Sequence, residues 1–177
     1  SDLVWEYADE TRLSFEPNIL AQYGCKVNAH EEMLPKAIFR SKSGELIYDF
    51  GQNFAGVICL DIDGKEGQII TVRHAELLHD GELFVENLRT AKATVTYICK
   101  DGKQSYSPKL TYMGFRYAGI SGIDEDKIHV YARAIYSDID TVGDFTCSDN
   151  DLNRLQSNVV WSAKSNFVDI PTDCPQR

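Results

Sequence analysis

The chain has 177 residues, and its 18 basic and 27 acidic residues give a formal net charge of −9. This charge argues against nucleic acid or an anionic membrane surface as a partner, because both require clustered Lys and Arg. The length fits one or two small domains, and 43% hydrophobic with 25% charged residues is the composition of a folded domain. No apolar run approaches the roughly 20 residues that a membrane-spanning helix needs.

Residues 1–38 are predicted to form an extended segment with a few edge strands, the tail of a preceding module. Pro17, Gly24 and Pro35 interrupt its short apolar runs, and its charges are scattered. The first residues carry no charged stretch followed by an apolar core, so no signal peptide is predicted.

Residues 39–143 are predicted to form an antiparallel β-sandwich. Short runs rich in β-branched residues alternate with turn signals, which are Asp63-Gly64, Asp80-Gly81, Asp101-Gly102 and Ser121-Gly122. Residues 57–62 lead into the first of these turns and residues 68–74 lead away from it, which predicts a hairpin. No helical period interrupts residues 45–140, which argues against a parallel α/β sheet.

Residues 144–177 are predicted to contain a linker and a single helix of about 17–20 residues. Ser148 is the expected N-cap, because its hydroxyl can accept a hydrogen bond from a first-turn N–H. Apolar residues at spacings of three and four then mark one helix face: Leu152, Leu155, Val159 and Ala163. Pro171 bars continuation of the helix. Since no second helix is predicted, this face is expected to pack on the sandwich or on a domain outside the chain.

Residues 48–56, with the sequence Tyr-Asp-Phe-Gly-Gln-Asn-Phe-Ala-Gly, combine aromatic, amide and glycine residues. Exposed aromatic rings beside amides would suit a sugar-binding platform. The favoured interpretation is a buried corner, in which the glycines allow a bend and the amides bond to the backbone.

Two groups of residues contain the side chains that metal ions prefer. One is a set of five carboxylates within 14 residues: Asp138, Asp140, Asp144, Asp149 and Asp151. Their spacing lacks the pattern of a calcium-binding loop, so a solvated acidic loop is favoured. The other group is His74, Glu76 and His79, which are interpreted as solvent-facing or hydrogen-bonded residues at a strand end. Neither a metal ion nor a cofactor is therefore predicted.

The cysteines are widely spaced and odd in number: Cys25, Cys59, Cys99, Cys147 and Cys174. The absence of a C-x-x-C pair gives no support for a zinc or redox site. They are predicted to be small buried side chains.

Residues 169–177 read Asp-Ile-Pro-Thr-Asp-Cys-Pro-Gln-Arg. Two prolines favour an extended turn after the helix. Asp173, Cys174 and Arg177 are then presented on a loop, where functional residues often lie. A cysteine nucleophile would need a histidine base, and the sequence places none beside Cys174.

The motif at residues 48–56 is followed in order by further motifs at residues 74–78, 80–83, 86–89, 112–117, 143–148 and 166–177. In this order they resemble the bacterial α-L-rhamnosidases of glycoside hydrolase family 78, over about residues 18–177. The resemblance implies that residues 39–143 form a concanavalin-like (jelly-roll) accessory β domain. It also implies that residues 144–177 form the linker and first helix of an (α/α)6 catalytic barrel. The expected partners are rhamnose-containing glycosides and the rest of the barrel.

The resemblance also implies a reaction, the inverting hydrolysis of terminal α-L-rhamnose by a carboxylic acid and a carboxylate that activates water. In the family the general acid follows the Asp-Cys-Pro-x-Arg motif and the general base comes much later. No catalytic residue is therefore expected within the chain, and the chain alone is expected to be inactive. Asp173 and Arg177 correspond to positions that line the rhamnose pocket, where a carboxylate accepts and a guanidinium donates hydrogen bonds.

Two other functions stay open for the β domain. It could be an independent carbohydrate-binding module, or a purely structural domain that supports a catalytic barrel. Exposed coplanar aromatic rings in a groove would favour the first function, and their burial would favour the second.

Overall fold

The computed structural model describes residues 10–12, 14–21 and 23–175. Within these residues the chain forms twelve strands and one α-helix. The strands are β1 (Val27–Met33), β2 (Ala37–Arg40), β3 (Leu46–Gly64), β4 (Ile69–Ala75), β5 (Leu77–His79), β6 (Glu82–Phe84), β7 (Thr94–Ile98), β8 (Gly102–Tyr106), β9 (Met113–Ser121), β10 (Ile128–Ser137), β11 (Phe167–Val168) and β12 (Ile170–Pro171). The helix is α1 (Asn150–Asn166), and short 3-10 helices occupy Glu86–Leu88 and Glu125–Lys127.

Eight of these strands form one antiparallel sheet. Its main path runs β1-β10-β3-β9-β4-β7, and β2 and β8 each pair with β3. The described part of the chain is thus mainly β, with a single helix near its C-terminal end, as the sequence predicts. That helix is neither long nor apolar enough to cross a membrane, and no other helix in the described residues is.

The long strand β3 makes the sheet curl. Along one edge of β3, residues 46–49 pair with β2 and residues 56–62 pair with β10. Along the other edge, residues 46–49 and 54–56 pair with β9 and residues 60–64 pair with β8. The core lies inside the curl and contains buried side chains from five strands: Ile58, Leu60, Ile70, Val72, Val95, Phe115, Ile120 and Val130.

The predicted hairpin at Asp63-Gly64 is wrong, although β3 does end at Gly64. After the turn the chain does not return along β3, because β9 lies between β3 and β4. Instead, Gly67 N donates to Cys99 O at 2.9 Å and Cys99 N donates to Gln68 O at 2.8 Å, so the chain pairs with the end of β7. The turn signal is local and predicts the end of β3, whereas the pairing partner is set by distant strands.

The turn signal at Asp80-Gly81 does form a hairpin, between β5 and β6. Both turn residues have positive φ, 51° at Asp80 and 82° at Gly81. This is the backbone that a two-residue hairpin requires and that Asp-Gly tolerates well. The structure therefore confirms the turn that the sequence predicts here.

Candidate functional site

The helix α1 begins with a different cap from the one predicted. Asp149 has an extended backbone and its carboxylate accepts hydrogen bonds from Asp151 N at 2.9 Å and Leu152 N at 3.3 Å. Ser148 lies one residue before this position, so its hydroxyl is not the cap. A second local contact joins Cys147 and Asn153, whose side-chain amide bonds to both the backbone N–H and the carbonyl of Cys147.

Replacing Asp149 with alanine is expected to lower the free energy of unfolding by about 0.5–2 kcal/mol, because two first-turn N–H groups lose their acceptor. Urea denaturation of the 177-residue chain measures this change. Ser148→Ala is the matched control and is expected to stay within about 0.5 kcal/mol of the parent. A larger loss for Ser148→Ala than for Asp149→Ala would contradict the assignment.

The far end of α1 is attached to the sheet by a charged network. Lys164 Nζ donates to Glu31 Oε1 of β1 at 2.6 Å, and Tyr136 OH of β10 donates to the same carboxylate at 2.8 Å. The Lys164 ammonium also lies over the rings of Tyr136 and Trp161, at 4.9 and 4.8 Å. Burial by itself would raise the pKa of Glu31, but the hydrogen bonds from Lys164 and Tyr136 outweigh it and lower this pKa.

Helix α1 packs on the sheet through a different face from the predicted one. Ser165 is buried and its hydroxyl oxygen accepts a hydrogen bond from Ala55 N at 3.2 Å, while Trp161 packs against the core. The leucine and valine face points away, since Leu155 is 57% and Val159 is 54% exposed. This face was predicted to pack either on the sandwich or on a domain outside the chain. The first alternative is wrong for its leucines and Val159.

A short turn follows α1 and is fixed to the sheet. Asp169, at φ 70°, separates β11 from β12, and its backbone N–H donates to Ser137 Oγ of β10 at 2.8 Å. Thr172 N then donates to Asn166 O at the helix end at 2.7 Å. These contacts set the direction in which the chain continues towards Asp173.

Asp173 lies on the loop that the sequence predicts, and Cys174 Sγ donates to its Oδ2 at 3.4 Å. Pro175 lines a cavity together with Ala93 and Tyr112 of the β domain. Arg177, the other residue predicted to bind substrate, lies outside the described residues.

The aromatic residues of the motif at residues 48–56 are buried. Tyr48 is 2%, Phe50 0% and Phe54 1% exposed, and the three belong to the core. The register between β3 and β9 shifts between Asp49 and Phe54, which places the predicted corner inside one continuous strand. This burial agrees with a structural corner and removes the rings from any sugar-binding surface.

The corner is fixed by a bidentate ion pair. Arg116 of β9 donates to both oxygens of Asp49, at 2.8 and 2.9 Å. Gly51, at φ 73°, donates its N–H to Asp49 Oδ1 at 2.7 Å. The hydrogen bond from Arg116 outweighs burial and lowers the pKa of Asp49. The neighbouring amides form local contacts, with Gln52 donating to Asn53 O and Asn53 donating to Glu76 Oε1.

The structure separates the residues of the predicted histidine group. His74 is buried, and its ring Nδ1–H donates to Ala93 O at 2.9 Å, so the solvent-facing alternative is wrong for it. Burial lowers the pKa of His74 to about 4, although the hydrogen bond to Ala93 opposes this shift. His79 is exposed beside Asp80 on the β5–β6 turn. Among the described residues, no three His, Cys, Asp or Glu side chains lie close enough to bind a metal ion.

Two members of the acidic stretch have structural partners. Asp138 accepts from Asn28 Nδ2 at 2.6 Å and pairs with His30 at 3.2 Å, while Asp149 caps the helix. Cys59 and Cys99 are buried as predicted, whereas Cys25 is exposed.

Sequence reasoning missed the network of Glu31, Tyr136 and Lys164. Glu31 and Lys164 lie 133 residues apart, and nothing in the local pattern around either residue marks the pair. A lysine beside the apolar face of an otherwise polar helix was the one available signal, because such a residue can pair with a carboxylate on the surface that the helix covers.

Two family models match the chain. The model described as the bacterial alpha-L-rhamnosidase concanavalin-like domain matches residues 39–136. The model described as the bacterial alpha-L-rhamnosidase 6 hairpin glycosidase domain matches residues 140–177.

Individual alpha-L-rhamnosidases also match most of this chain. An alpha-L-rhamnosidase from Alteromonas sp. (strain LOR) is 40% identical over 152 residues, which are 83% of this chain and 16% of that protein. One from Formosa agariphila is 43% identical over 142 residues, 77% of this chain and 15% of the relative. Among solved structures, the Streptomyces avermitilis alpha-L-rhamnosidase complexed with L-rhamnose has a TM-score of 0.85 at 34% identity, over 90% of this chain and 16% of its own. The native Aspergillus terreus enzyme has a TM-score of 0.81 at 38% identity, over 87% of this chain and 18% of its own. The chain therefore spans less than a fifth of the length of each of these relatives.

Proposed function

Since the chain belongs to the bacterial alpha-L-rhamnosidase family, we propose that it supplies the accessory β domain and the first helix of a catalytic domain to an enzyme that hydrolyses terminal α-L-rhamnose from glycosides. In this proposal residues 39–143 are the accessory domain and residues 144–177 begin the catalytic barrel. Residues 1–38 are the end of a preceding module, of which β1 adds an edge strand to the sheet. The rest of the barrel and a rhamnose-containing glycoside are the expected partners.

The observation that carries the proposal is the attachment of α1 and the following turn to the sheet. Lys164 bonds to β1, Ser165 bonds to β3, and Asp169 bonds to β10, so three strands fix one helix end. The loop with Asp173 continues directly from this fixed point. The β domain thereby supports the first residues of a catalytic domain. Such support matters for the reaction, because moving a catalytic or substrate-binding group by about 1 Å can lower the rate strongly.

In the proposed site, Asp173 accepts hydrogen bonds from rhamnose hydroxyls and Arg177 donates them. The reaction inverts the anomeric centre, with one carboxylic acid protonating the leaving oxygen and one carboxylate activating water. Both groups belong to the part of the enzyme beyond this chain. The chain by itself is therefore inactive in this proposal, although it contains 27 acidic residues.

Burial of the aromatic residues separates this proposal from the alternative of an independent carbohydrate-binding module. A sugar-binding platform needs exposed rings, and the three rings at residues 48–56 lie in the core. The supporting role is therefore favoured for the β domain.

Hydrolysis of an aryl α-L-rhamnoside by the purified chain and by the longer parent enzyme tests the proposal. The parent is expected to turn over the substrate and the chain is not. In the parent, Asp173→Asn is expected to lower kcat/KM by roughly 10–150-fold, the value of a lost charge-assisted hydrogen bond of about 1.5–3 kcal/mol. Unchanged thermal unfolding of this variant is the control. Turnover by the chain alone that Asp173→Asn abolishes would overturn both the assignment of roles and the inactivity of the chain.

A further inference from the structure

A polar cleft of about 340 Å³ separates the first half of α1 from the corner of the β domain. On the helix side the cleft is lined by Arg154 and Asn158. On the side of the β domain its lining is also mainly polar and includes Gln52, Asn53, Glu76 and Arg116. The cleft therefore lies between the accessory domain and the proposed start of the catalytic domain.

The cleft exists because only the second half of one helix face reaches the sheet. At spacings of four, three and four residues, this face of α1 carries Arg154, Asn158, Trp161 and Ser165. Trp161 packs against the core and the Ser165 hydroxyl bonds to Ala55 N. Arg154 and Asn158, by contrast, are exposed. The same face is thus docked at its C-terminal end and open at its N-terminal end.

The guanidinium of Arg154 is the group in this cleft that lacks a partner. Arg116 is held by both oxygens of Asp49, and Asn53 donates to Glu76 Oε1 at 2.8 Å. In the part of the chain that the structure describes, no hydrogen bond or ion pair involves the Arg154 side chain, and none joins it to Glu76 across the cleft. A guanidinium is a planar fork of N–H donors that matches the two oxygens of a carboxylate.

The exposed apolar face of α1 lies directly beside the cleft. Leu155 follows Arg154 and Val159 follows Asn158 in the sequence, and both apolar side chains are more than half exposed. A contiguous exposed apolar patch of this kind marks an interaction surface. The model of the catalytic domain matches residues 140–177, and the chain spans less than a fifth of each relative. A later segment of the polypeptide that covers this apolar face reaches the cleft at the same time.

We propose that a carboxylate from such a later segment of the same polypeptide enters the cleft and forms a bidentate ion pair with Arg154. The inference rests on the proposed function, because it takes α1 as the first helix of a larger catalytic domain. Asn158 lies one helical turn from Arg154, and its amide can donate to the same carboxylate. The incoming segment then fills the space between α1 and the corner, and it holds the half of the helix that the chain's own contacts leave open.

The test compares the longer parent enzyme with the 177-residue chain, by the half-life of each folded protein at a fixed elevated temperature, followed by circular dichroism. Arg154→Gln is expected to shorten the half-life of the parent about 3–10-fold, because the lost ion pair no longer slows unfolding. It is expected to leave the half-life of the 177-residue chain within about twofold, since this chain lacks the carboxylate. Arg154→Lys keeps the charge and is expected to restore part of the loss in the parent.

Carbodiimide coupling of the parent with the Arg154→Lys substitution identifies the partner, because the reagent joins an amine to a carboxylate in contact with it. Mass spectrometry of the digested protein is expected to find position 154 linked to an Asp or Glu that follows Arg177 in the polypeptide. A link to Glu76 instead, or no link at position 154, would overturn the inference.

Lys65→Gln is the matched control, since it removes one exposed positive charge from the turn after β3, outside the cleft. It is expected to change the half-life of neither protein. An effect of Arg154→Gln that is equal in the parent and in the 177-residue chain, or absent from the parent, would overturn this inference while leaving the proposed function intact. Absence of rhamnoside hydrolysis by the unmodified parent would instead overturn the proposed function, and with it the assignment of α1 to a catalytic domain.

Discussion

Replacing Phe50 with alanine is expected to lower the free energy of unfolding by about 3–5 kcal/mol, the cost of deleting a large buried ring and leaving a cavity. The Phe50 side chain is completely buried and meets Phe54 and Phe115 edge-on, with ring centroids 6.0 and 5.7 Å apart. Such aromatic pairs add to the energy of burial. Because the ring lies where β3 bends, neighbouring strands have little freedom to close the cavity.

Equilibrium denaturation in urea measures this loss, and Phe145→Ala is the matched control. Phe145 is half exposed on the connection before α1, so its replacement is expected to cost less than about 0.5 kcal/mol. A loss below about 1 kcal/mol for Phe50→Ala would contradict the structural role of the corner. Rhamnose binding by the chain that Phe50→Ala removes without any loss of stability would instead support a carbohydrate-binding module.

The stability of the chain is expected to fall between pH 6.5 and pH 4 because of His74. In the folded chain burial lowers the pKa of His74 from 6.5 to about 4, so the buried imidazole is neutral over this interval. The unfolded chain binds a proton there that the folded chain does not, so the free energy of unfolding decreases as the pH falls. The contribution of His74 to the free energy of unfolding is complete above pH 6.5 and is lost by about pH 4. A shift of this size corresponds to about 3 kcal/mol.

Urea denaturation at several pH values, compared between the parent chain and His74→Asn, isolates this contribution. The asparagine amide can still donate to Ala93 O but does not titrate. Other groups titrate in the same way in both proteins, so the difference between the two curves reports His74 alone. Parallel curves across this pH interval would mean that His74 is protonated in the folded chain or accessible to water.

Local signals in the sequence predicted where strands end and where the chain turns, but not which strands pair. Asp80-Gly81 closes a hairpin because β5 and β6, the strands on either side of it, pair with each other. Asp63-Gly64 ends a strand equally well, yet the strands on either side of it are separated by β9. Pairing of this kind depends on the whole curled sheet, and β9 lies about 50 residues further along the chain than the turn.

In the candidate site, too, local features could be predicted from the sequence and long-range contacts could not. The loop position of Asp173 follows from two prolines and the end of an amphipathic helix, which are local features. The helix cap lies one residue after the predicted position. Ser148 and Asp149 are both good caps, and the extended backbone at Asp149 makes the second residue the cap. The attachment through Glu31 and Lys164 could not be predicted, since its partners meet only after the sheet has formed.

The attachment of α1 has a consequence for the order of events during synthesis. Glu31, Ala55 and Ser137, the sheet residues that bond to the helix end and its turn, all precede α1 in the chain. Every one of these partners has therefore left the ribosome before the helix does, and domains fold progressively from the N-terminal side as the chain emerges. The helix can dock onto a finished sheet as soon as the turn that follows it, through Thr172, has emerged. A nascent chain released only as far as Pro175 would already contain all the groups that fix α1 in place.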